Sequence, residues 1–397
     1  MQNFRNIFYF GILLLFLSNC SKSDYDDGGS TLDKLSSSSF TSGEGVSNGE
    51  NGNNDTIQSG QITAGEWSDL QNWNFWKDLQ QNQDLMSTVE KWSFYNSNRI
   101  SFIIKDLNQQ PAEGCLVKLK EDGNIIWETK TDNTGQAELW YNLFTDSEPN
   151  NALTATISYN GFDTDIDNLL YYTDTANIIQ LSFATTQPTQ VDIHFMVDAT
   201  GSMGDELEYL KVELNDVIQK VQSENSNLTF RFGSVFYRDI GDEYITLKSS
   251  FNSSKSVLID FISSQRASGG GDYEEAVHTA LNESLFNQDW GTNNKASLCF
   301  IVLDAPPHLT SQVIDNIHQS VEYAAKQGIK LIPIVASGID KNTEFLMRFM
   351  AITTNGTYVF ITNESGIGNE HLEPTIGIYQ PEYLNALLVR LINKNIK

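Results

Sequence analysis

Apolar positions follow two different rhythms along the chain. Between residues 98 and 185 they alternate with polar ones in short runs: RISFIIKD, CLVKLKE, NIIWETKT, GQAELWY, LTATISY and IIQLSFA. Turn signals such as EDGN and DNTG divide them. A period of two places one face of each strand in a core. Six or seven strands at this spacing predict a small all-β sandwich. From residue 188 to 397 the runs are more continuously apolar: VDIHFMV, LTFRFGSVFY, YITLKSSF, SLCFIVL, KLIPIVA and TYVFIT. Between most of them lie stretches of helical period: DELEYLKVELNDVIQKVQ, YEEAVHTALNES, SQVIDNIHQSVEYAAKQ and NTEFLMRFMAIT. A last one, PEYLNALLVRLINKNI, closes the chain. Strands alternating with helices predict an α/β fold, a doubly wound parallel sheet covered on both faces. The exception is SVFYRDIGDEYITLKSS, whose short turn is too tight for a crossover, so the third strand is expected at an antiparallel edge.

The N-terminal quarter reads differently. Residues 63–97 carry Trp67, Trp73, Trp76 and Trp92, and GEWSDLQNWNFWKDL spaces Leu70, Trp73, Trp76 and Leu79 at roughly helical intervals. Two readings stand: indoles docking this segment onto the next domain, or a patch that stacks sugars or a partner. Residues 20–62 are Ser, Gly, Asn and Asp with few apolar positions. Such a composition cannot offset chain entropy and predicts a disordered tether. In residues 1–19, one basic residue (Arg5) precedes an apolar run from Ile7 to Leu17. That run is too short to span a bilayer and fits a signal-peptide core.

The run ends at Leu17-Ser18-Asn19-Cys20, which resembles a bacterial lipobox. Asn19 departs from the usual Gly or Ala, and an ordinary secretory leader with an incidental Cys is the competing reading. The acidic SKSDYDDGG that follows resembles the export tags of surface-displayed lipoproteins. These resemblances imply acylation at Cys20 as the sole membrane attachment, and a place in the bacterial cell envelope, at the outer membrane and exposed on its surface. Net charge changes the picture further: 51 acidic against 25 basic residues give -26. A nucleic-acid backbone or an anionic membrane surface would be repelled. Cations and basic partners are compatible. The other cysteines, Cys115 and Cys299, sit in strand-like runs of different predicted domains, so no disulfide framework is implied.

The candidate chemistry begins at FMVDATGSMGDELEYL, where an apolar strand stops at Asp198 and is followed by Thr200 and Ser202. With strand order 3-2-1-4-5-6, the first and fourth strands are neighbours at the switch point, where a crevice opens. Asp304 ends the fourth strand in LCFIVLDAPPH. SGGGDYEEAV brings Asp272 just ahead of a helix, behind glycines that permit close backbone approach. Carboxylate and hydroxyl oxygens are hard ligands suited to Mg2+, with Mn2+ or Ca2+ as alternatives. Alone, Asp-x-Thr-x-Ser equally describes a helix cap. Arg238, Asp239 and Asp242 lie on a loop at the same sheet edge, His308 follows Asp304 by four residues, and His194 lies within a strand as a structural residue. No nucleophile elbow, Walker loop or zinc-type Cys/His cluster occurs.

Asp198-x-Thr200-x-Ser202 and the sheet pattern of residues 188–397 resemble the von Willebrand factor type A (VWA) domain with a metal-ion-dependent adhesion site. DATGSM, YRDIGDEY and GGGDYEEAV resemble a bacterial subgroup of it. The resemblance implies metal ligation by Asp198, Thr200, Ser202 and Asp304, and cation-dependent binding of a protein whose carboxylate commonly completes the shell. Adhesive members carry Thr where Asp272 stands. An added negative charge implies tighter metal holding and weaker attraction for an acidic partner. The sandwich is similar to carboxypeptidase regulatory-like modules, which are usually accessory folds. The expectation is a non-enzymatic envelope lipoprotein that binds a protein, or a glycan, through a cation site. The alternatives are a Mg2+-dependent phosphate-ester hydrolase, though Thr200 stands where Asp-x-Asp chemistry needs its second Asp, and a structural envelope protein with a stabilising ion.

Overall fold

The structure, a computed structural model, describes residues 57–397. The leader, Cys20 and most of the tether expected from the sequence lie outside the described residues. A short strand opens the described chain, β1 (Thr63–Trp67), followed by helices α1 (Trp73–Asp78) and α2 (Gln83–Trp92). Seven strands come next: β2 (Arg99–Lys105), β3 (Leu116–Glu121), β4 (Asn124–Lys130), β5 (Gln136–Trp140), β6 (Thr154–Tyr159), β7 (Phe162–Ile166) and β8 (Asn177–Gln180). They form a three-stranded sheet, β5-β2-β8, and a four-stranded sheet, β4-β3-β6-β7. Inward residues of both, Ile100, Phe102 and Ile104 from one and Val117, Leu119 and Ile157 from the other, are buried together.

The C-terminal half alternates as its sequence predicts. It runs β9 (Gln190–Asp198), α3 (Gly204–Glu224), β10 (Thr229–Tyr237), β11 (Thr246–Asn252), α4 (Lys255–Ser264), α5 (Val277–Leu285), β12 (Ala296–Leu303) and α6 (Ser311–Gln327). It closes with β13 (Ile329–Val335), α7 (Lys341–Thr353), β14 (Tyr358–Ile361), β15 (Glu382–Tyr383) and α8 (Leu384–Ile396). The sheet order is β11-β10-β9-β12-β13-β14-β1-β15. Strands β9, β10, β12, β13 and β14 are parallel, and β11 pairs antiparallel with β10 at the edge. Successive residues of β9 alternate faces. Ile193, Phe195 and Val197 join a core with α3, α4 and α8, while Met196 joins the core with α5, α6 and α7. A sheet covered on both sides is thus built from strands apolar on both faces.

The next-to-last strand of the sheet, β1, comes from outside residues 188–397 and lies between β14 and the edge strand β15. β1 pairs antiparallel with β14, Gly65 opposite Phe360 and Trp67 opposite Tyr358. A Cβ on Gly65 would lie 2.4 Å from the Phe360 ring, so only glycine fits there. Just ahead of β1, the buried Glu213 of α3 accepts the backbone N–H groups of Gly60, Gln61 and Ile62 at 2.8–3.3 Å. All four tryptophans of the segment are buried. Trp76 packs edge-on against Phe349 of α7, and Trp73 against Trp140 of β5. The indoles therefore dock their segment onto both neighbours and leave no stacking platform. Arg348 of α7 is fully buried and donates to Asp69 at 2.7 and 2.9 Å and to Glu344 at 3.0 Å. Asp132 of the sandwich accepts from Lys330 at 2.8 Å and from Asn355 at 3.0 Å.

Candidate functional site

β9 and β12 are adjacent and in register, with Val197 opposite Val302, and each strand is followed by a helix on the opposite face of the sheet. Their carboxyl ends therefore diverge and open the crevice of a switch point. Asp198 ends β9 and Asp304 directly follows β12. Both are buried. Asp198 Oδ1 accepts the Thr200 N–H at 2.8 Å and the Thr200 hydroxyl at 2.6 Å. Thr200 Oγ1 and Ser202 Oγ lie 3.1 Å apart. The tight Asp-x-Thr-x-Ser turn is thus held by its own side chains, and Ser202 stays exposed at its lip.

The glycine loop closes over this turn. Gly201 donates its N–H to Gly269 O at 3.0 Å, and Ser268 donates to Ala199 O at 3.0 Å. Gly269 (φ +82°) lies so near Asp242 that a Cβ would clash with its carboxylate at 2.4 Å. At Gly270 (φ +72°), a Cβ would stand 2.8 Å from Glu275 Oε1 and 3.3 Å from Thr200 Cβ. Both side chains therefore border Gly270. Asp272, the carboxylate that the sequence reading favours on this loop, is exposed and makes no side-chain hydrogen bond among the described residues. Glu275, three residues on, is the buried one. Its backbone is held by a bridge to Pro307, and α5 begins only at Val277. The quoted stretch contains Asp272, Glu274 and Glu275 within four positions. Helical periodicity read the helix as starting at Tyr273 and gave no reason to choose Glu275.

The third wall is the loop after β10. Asp242 accepts N–H groups of Asp239 at 3.1 Å and of Gly270 at 2.9 Å, tying this loop to the glycine loop. His308, from the loop after β12, meets Asp239 Oδ1 at 2.8 Å. Arg238 is buried, donating to Ala199 O at 3.3 Å and Arg266 O at 2.9 Å and lying over the Tyr244 ring. Behind the site, the buried Glu206 of α3 meets His371 at 3.0 Å and accepts the Ser337 N–H at 3.0 Å. His194 is remote from this cluster, buried between Phe251 and Trp290 with neither ring nitrogen partnered. Burial pushes its pKa down to about 3, so it serves as a neutral aromatic core residue. Cys115 and Cys299 are free and buried.

Three carboxyl groups on the walls of this crevice each keep one oxygen without a hydrogen-bond partner: Asp198 Oδ2, Asp304 Oδ1 and Glu275 Oε2. The buried Tyr237 hydroxyl beside Asp198 also lacks a partner of good geometry. Burial, reinforced by the charge of Asp239 and opposed by the Thr200 hydrogen bonds, pushes Asp198 up to about 6. Burial and then the charge of Asp198 push Asp304 up to about 7. Burial, followed by Asp198, Asp239, Asp304 and Asp242, pushes Glu275 up to about 9. Orphaned buried acceptors are rare in folded proteins, and converging carboxylates disfavour one another's charge. Both features fit a hard divalent cation. Among the described residues, no three His, Cys, Asp or Glu side chains stand together as a metal-holding group. The hydroxyls of Thr200 and Ser202 would therefore have to complete the donor set, as the chemistry of hard oxygen ligands allows.

Fold and crevice together define a doubly wound α/β domain with an acidic, hydroxyl-lipped switch point. Residues 192–370 match the family model of the von Willebrand factor type A domain. A putative ariadne-like RING finger protein of Acanthamoeba polyphaga mimivirus is 33% identical over 191 residues, 44% of this chain and 19% of that protein. Alpha-protein kinase vwkA of Dictyostelium discoideum is 27% identical over 184 residues, 46% of this chain and 29% of that one. The chain thus spans less than a third of the length of either curated relative. Among solved structures, BatB from Bacteroides thetaiotaomicron aligns over 51% of this chain and 98% of its own, at 13% identity and TM-score 0.36. An aerotolerance-related membrane protein from Bacteroides fragilis aligns over 52% and 98%, at 12% identity and TM-score 0.35.

Proposed function

We propose that this chain is a lipid-anchored protein of the bacterial cell envelope whose VWA domain captures a protein partner through a divalent cation, without catalysing a reaction. Asp198, Thr200, Ser202, Asp304 and Glu275 would hold the ion. A bound Mg2+ would neutralise the crowded carboxylates and present a cationic centre to an outside oxygen. The observation that carries this reading is the trio of orphaned, buried carboxylate oxygens at the switch point. The chain's own residues do the rest. Thr200 orients Asp198 through two hydrogen bonds, Gly270 lies close to both Thr200 and Glu275, and Glu206 with His371 supports the crevice from behind. The leader pattern ending at Cys20 supports the anchor, and among the described residues no helix is long and apolar enough to cross a membrane.

Calorimetric titration of the full chain with Mg2+ or Mn2+ tests the site. Uptake that disappears in Asp198→Ala is expected, and no uptake, or uptake indifferent to that change, refutes it. Turnover of a generic phosphate ester, lost in Asp198→Asn, would instead establish the hydrolase. Labelling of the chain with radioactive palmitate should vanish in Cys20→Ala.

A further inference from the structure

A groove of about 410 Å³ runs along the seam between the sandwich and the C-terminal half. One wall is residues 125–128 of β4, an edge strand of its sheet. Neighbouring residues of a strand point to opposite faces, so four in succession border one groove only along the strand's edge. There every second residue turns its N–H and C=O away from β3, with no strand beside it to pair with. The other wall is Phe286, just past α5, with Gln319, Glu322, Tyr323 and Lys326 of α6. The spacing of those four puts them on one face of the helix. Trp127 is the most buried residue along the groove, whereas Ile125 is 50% exposed and Phe286 40%. The Phe286 and Tyr323 rings lie 4.5 Å apart. These apolar side chains therefore share one depression, unlike singly scattered ones.

The charges along it are unevenly matched. Lys326 pairs with Glu128 across the groove and joins its two walls. Glu322, one turn earlier on α6, has no ion pair among the described residues. It reaches solvent, yet its surroundings desolvate the carboxyl and raise it above its ordinary range. The groove is thus apolar, edged by an open strand, and short of one cation. It lies away from the cation crevice. Lys326 sits just ahead of β13, at the amino ends of the parallel strands, and the crevice opens at their carboxyl ends.

We propose that this groove is a second, metal-independent docking site for a short extended segment of a protein partner. The segment packs an apolar side chain on Ile125, Phe286 and Tyr323 and sets a Lys or Arg against Glu322. The free edge of β4 offers backbone groups to an extended chain. A net charge of -26 steers a basic segment toward the surface, and Glu322 fixes its register.

The test is selection of a random heptapeptide library displayed on phage against the full chain in EDTA, which silences any cation site. The expected winners carry Lys or Arg beside Leu, Ile or an aromatic residue. A synthetic winner should lose about tenfold in affinity on Glu322→Lys, a change at an exposed position. It should lose about tenfold on the double change Ile125→Ser and Phe286→Ser. Asp198→Ala should leave its affinity unchanged. In the unaltered chain the bound peptide should slow amide hydrogen exchange over residues 124–128 and leave residues 198–204 as they were. Winners without a basic residue, or no enriched class, would overturn the inference. So would protection confined to the crevice, or affinity indifferent to Glu322→Lys. A chain that dimerises in EDTA by sedimentation, and is monomeric after Ile125→Ser and Phe286→Ser, would seat a second copy there and overturn the assignment to a partner.

Discussion

At the scale of single residues, Asp198, Asp304 and Glu275 are held above their ordinary range, so their sign of linkage can be stated. A carboxyl group whose pKa is raised by folding costs nothing below its unfolded value, destabilises the native state increasingly as pH rises from there, and adds no further cost above its folded value. Without metal, the penalty therefore begins just above the ordinary carboxylate range for all three and is complete near pH 6, 7 and 9 in turn. On the proposed reading a divalent ion cancels it. The gap in Tm between Mg2+ and EDTA should accordingly be small at about pH 5 and widen by several degrees toward about pH 8. A gap that is flat or narrows with pH would contradict ligation by these groups; differential scanning fluorimetry reads it directly. The placement of Asp198, Thr200, Ser202 and Asp304 at the switch point was legible in the sequence because strand ends announce themselves: apolar run, then a polar turn. Glu275 was not. Its inward position depends on a backbone bridge to Pro307, a contact between residues 32 positions apart that no local pattern encodes.

At the scale of elements, legibility followed the strength of the local signal. α6 spans the residues its pattern predicts, because both ends are chemically marked. Thr310 accepts the Val313 N–H at 3.3 Å as its N-cap, and Gly328 (φ +71°) ends it in the left-handed region. Thr310→Ala should lower global stability by about 1 kcal/mol in urea unfolding without changing Mg2+ uptake. The antiparallel edge at β11 was legible from its short connection. α4 was missed because KSVLIDFISS is apolar on too many positions to show one stripe, although only Leu258 and Ile262 are buried in it. β7, with the sequence FDTDI, is largely exposed and offers only Phe162 and Ile166 as apolar positions, too few to mark a strand. β1 was missed for another reason: its five residues become a strand only because β14 offers an open edge to pair with.

At the scale of the whole molecule, that pairing makes the VWA domain depend on residues far ahead of it. The buried Arg348 obtains its strongest partner, Asp69, from the Trp-rich segment, and Trp76 covers the same guanidinium at 4.9 Å. A fragment starting at residue 188 would lose β1, both contacts and the Asp132 pair with Lys330. Arg348 keeps Glu344 but loses its bidentate carboxylate and its indole cover, and the sheet loses β1, so this fragment should aggregate or melt well below the chain spanning residues 57–397. The longer chain should unfold in one transition, because Asp132, Arg348 and the buried tryptophans join the modules across their boundaries. Two separate calorimetric transitions in the longer chain would refute that coupling.

The grip of Glu213 on Gly60, Gln61 and Ile62 has a mechanical corollary. Traction applied from the N-terminal side reaches α3 before it reaches the sheet edge. The opening turn of that same helix follows directly on Ser202. Whatever hauls on the leading residues thus loads the rod whose tip carries the crevice lip, and one carboxylate is the shackle between them.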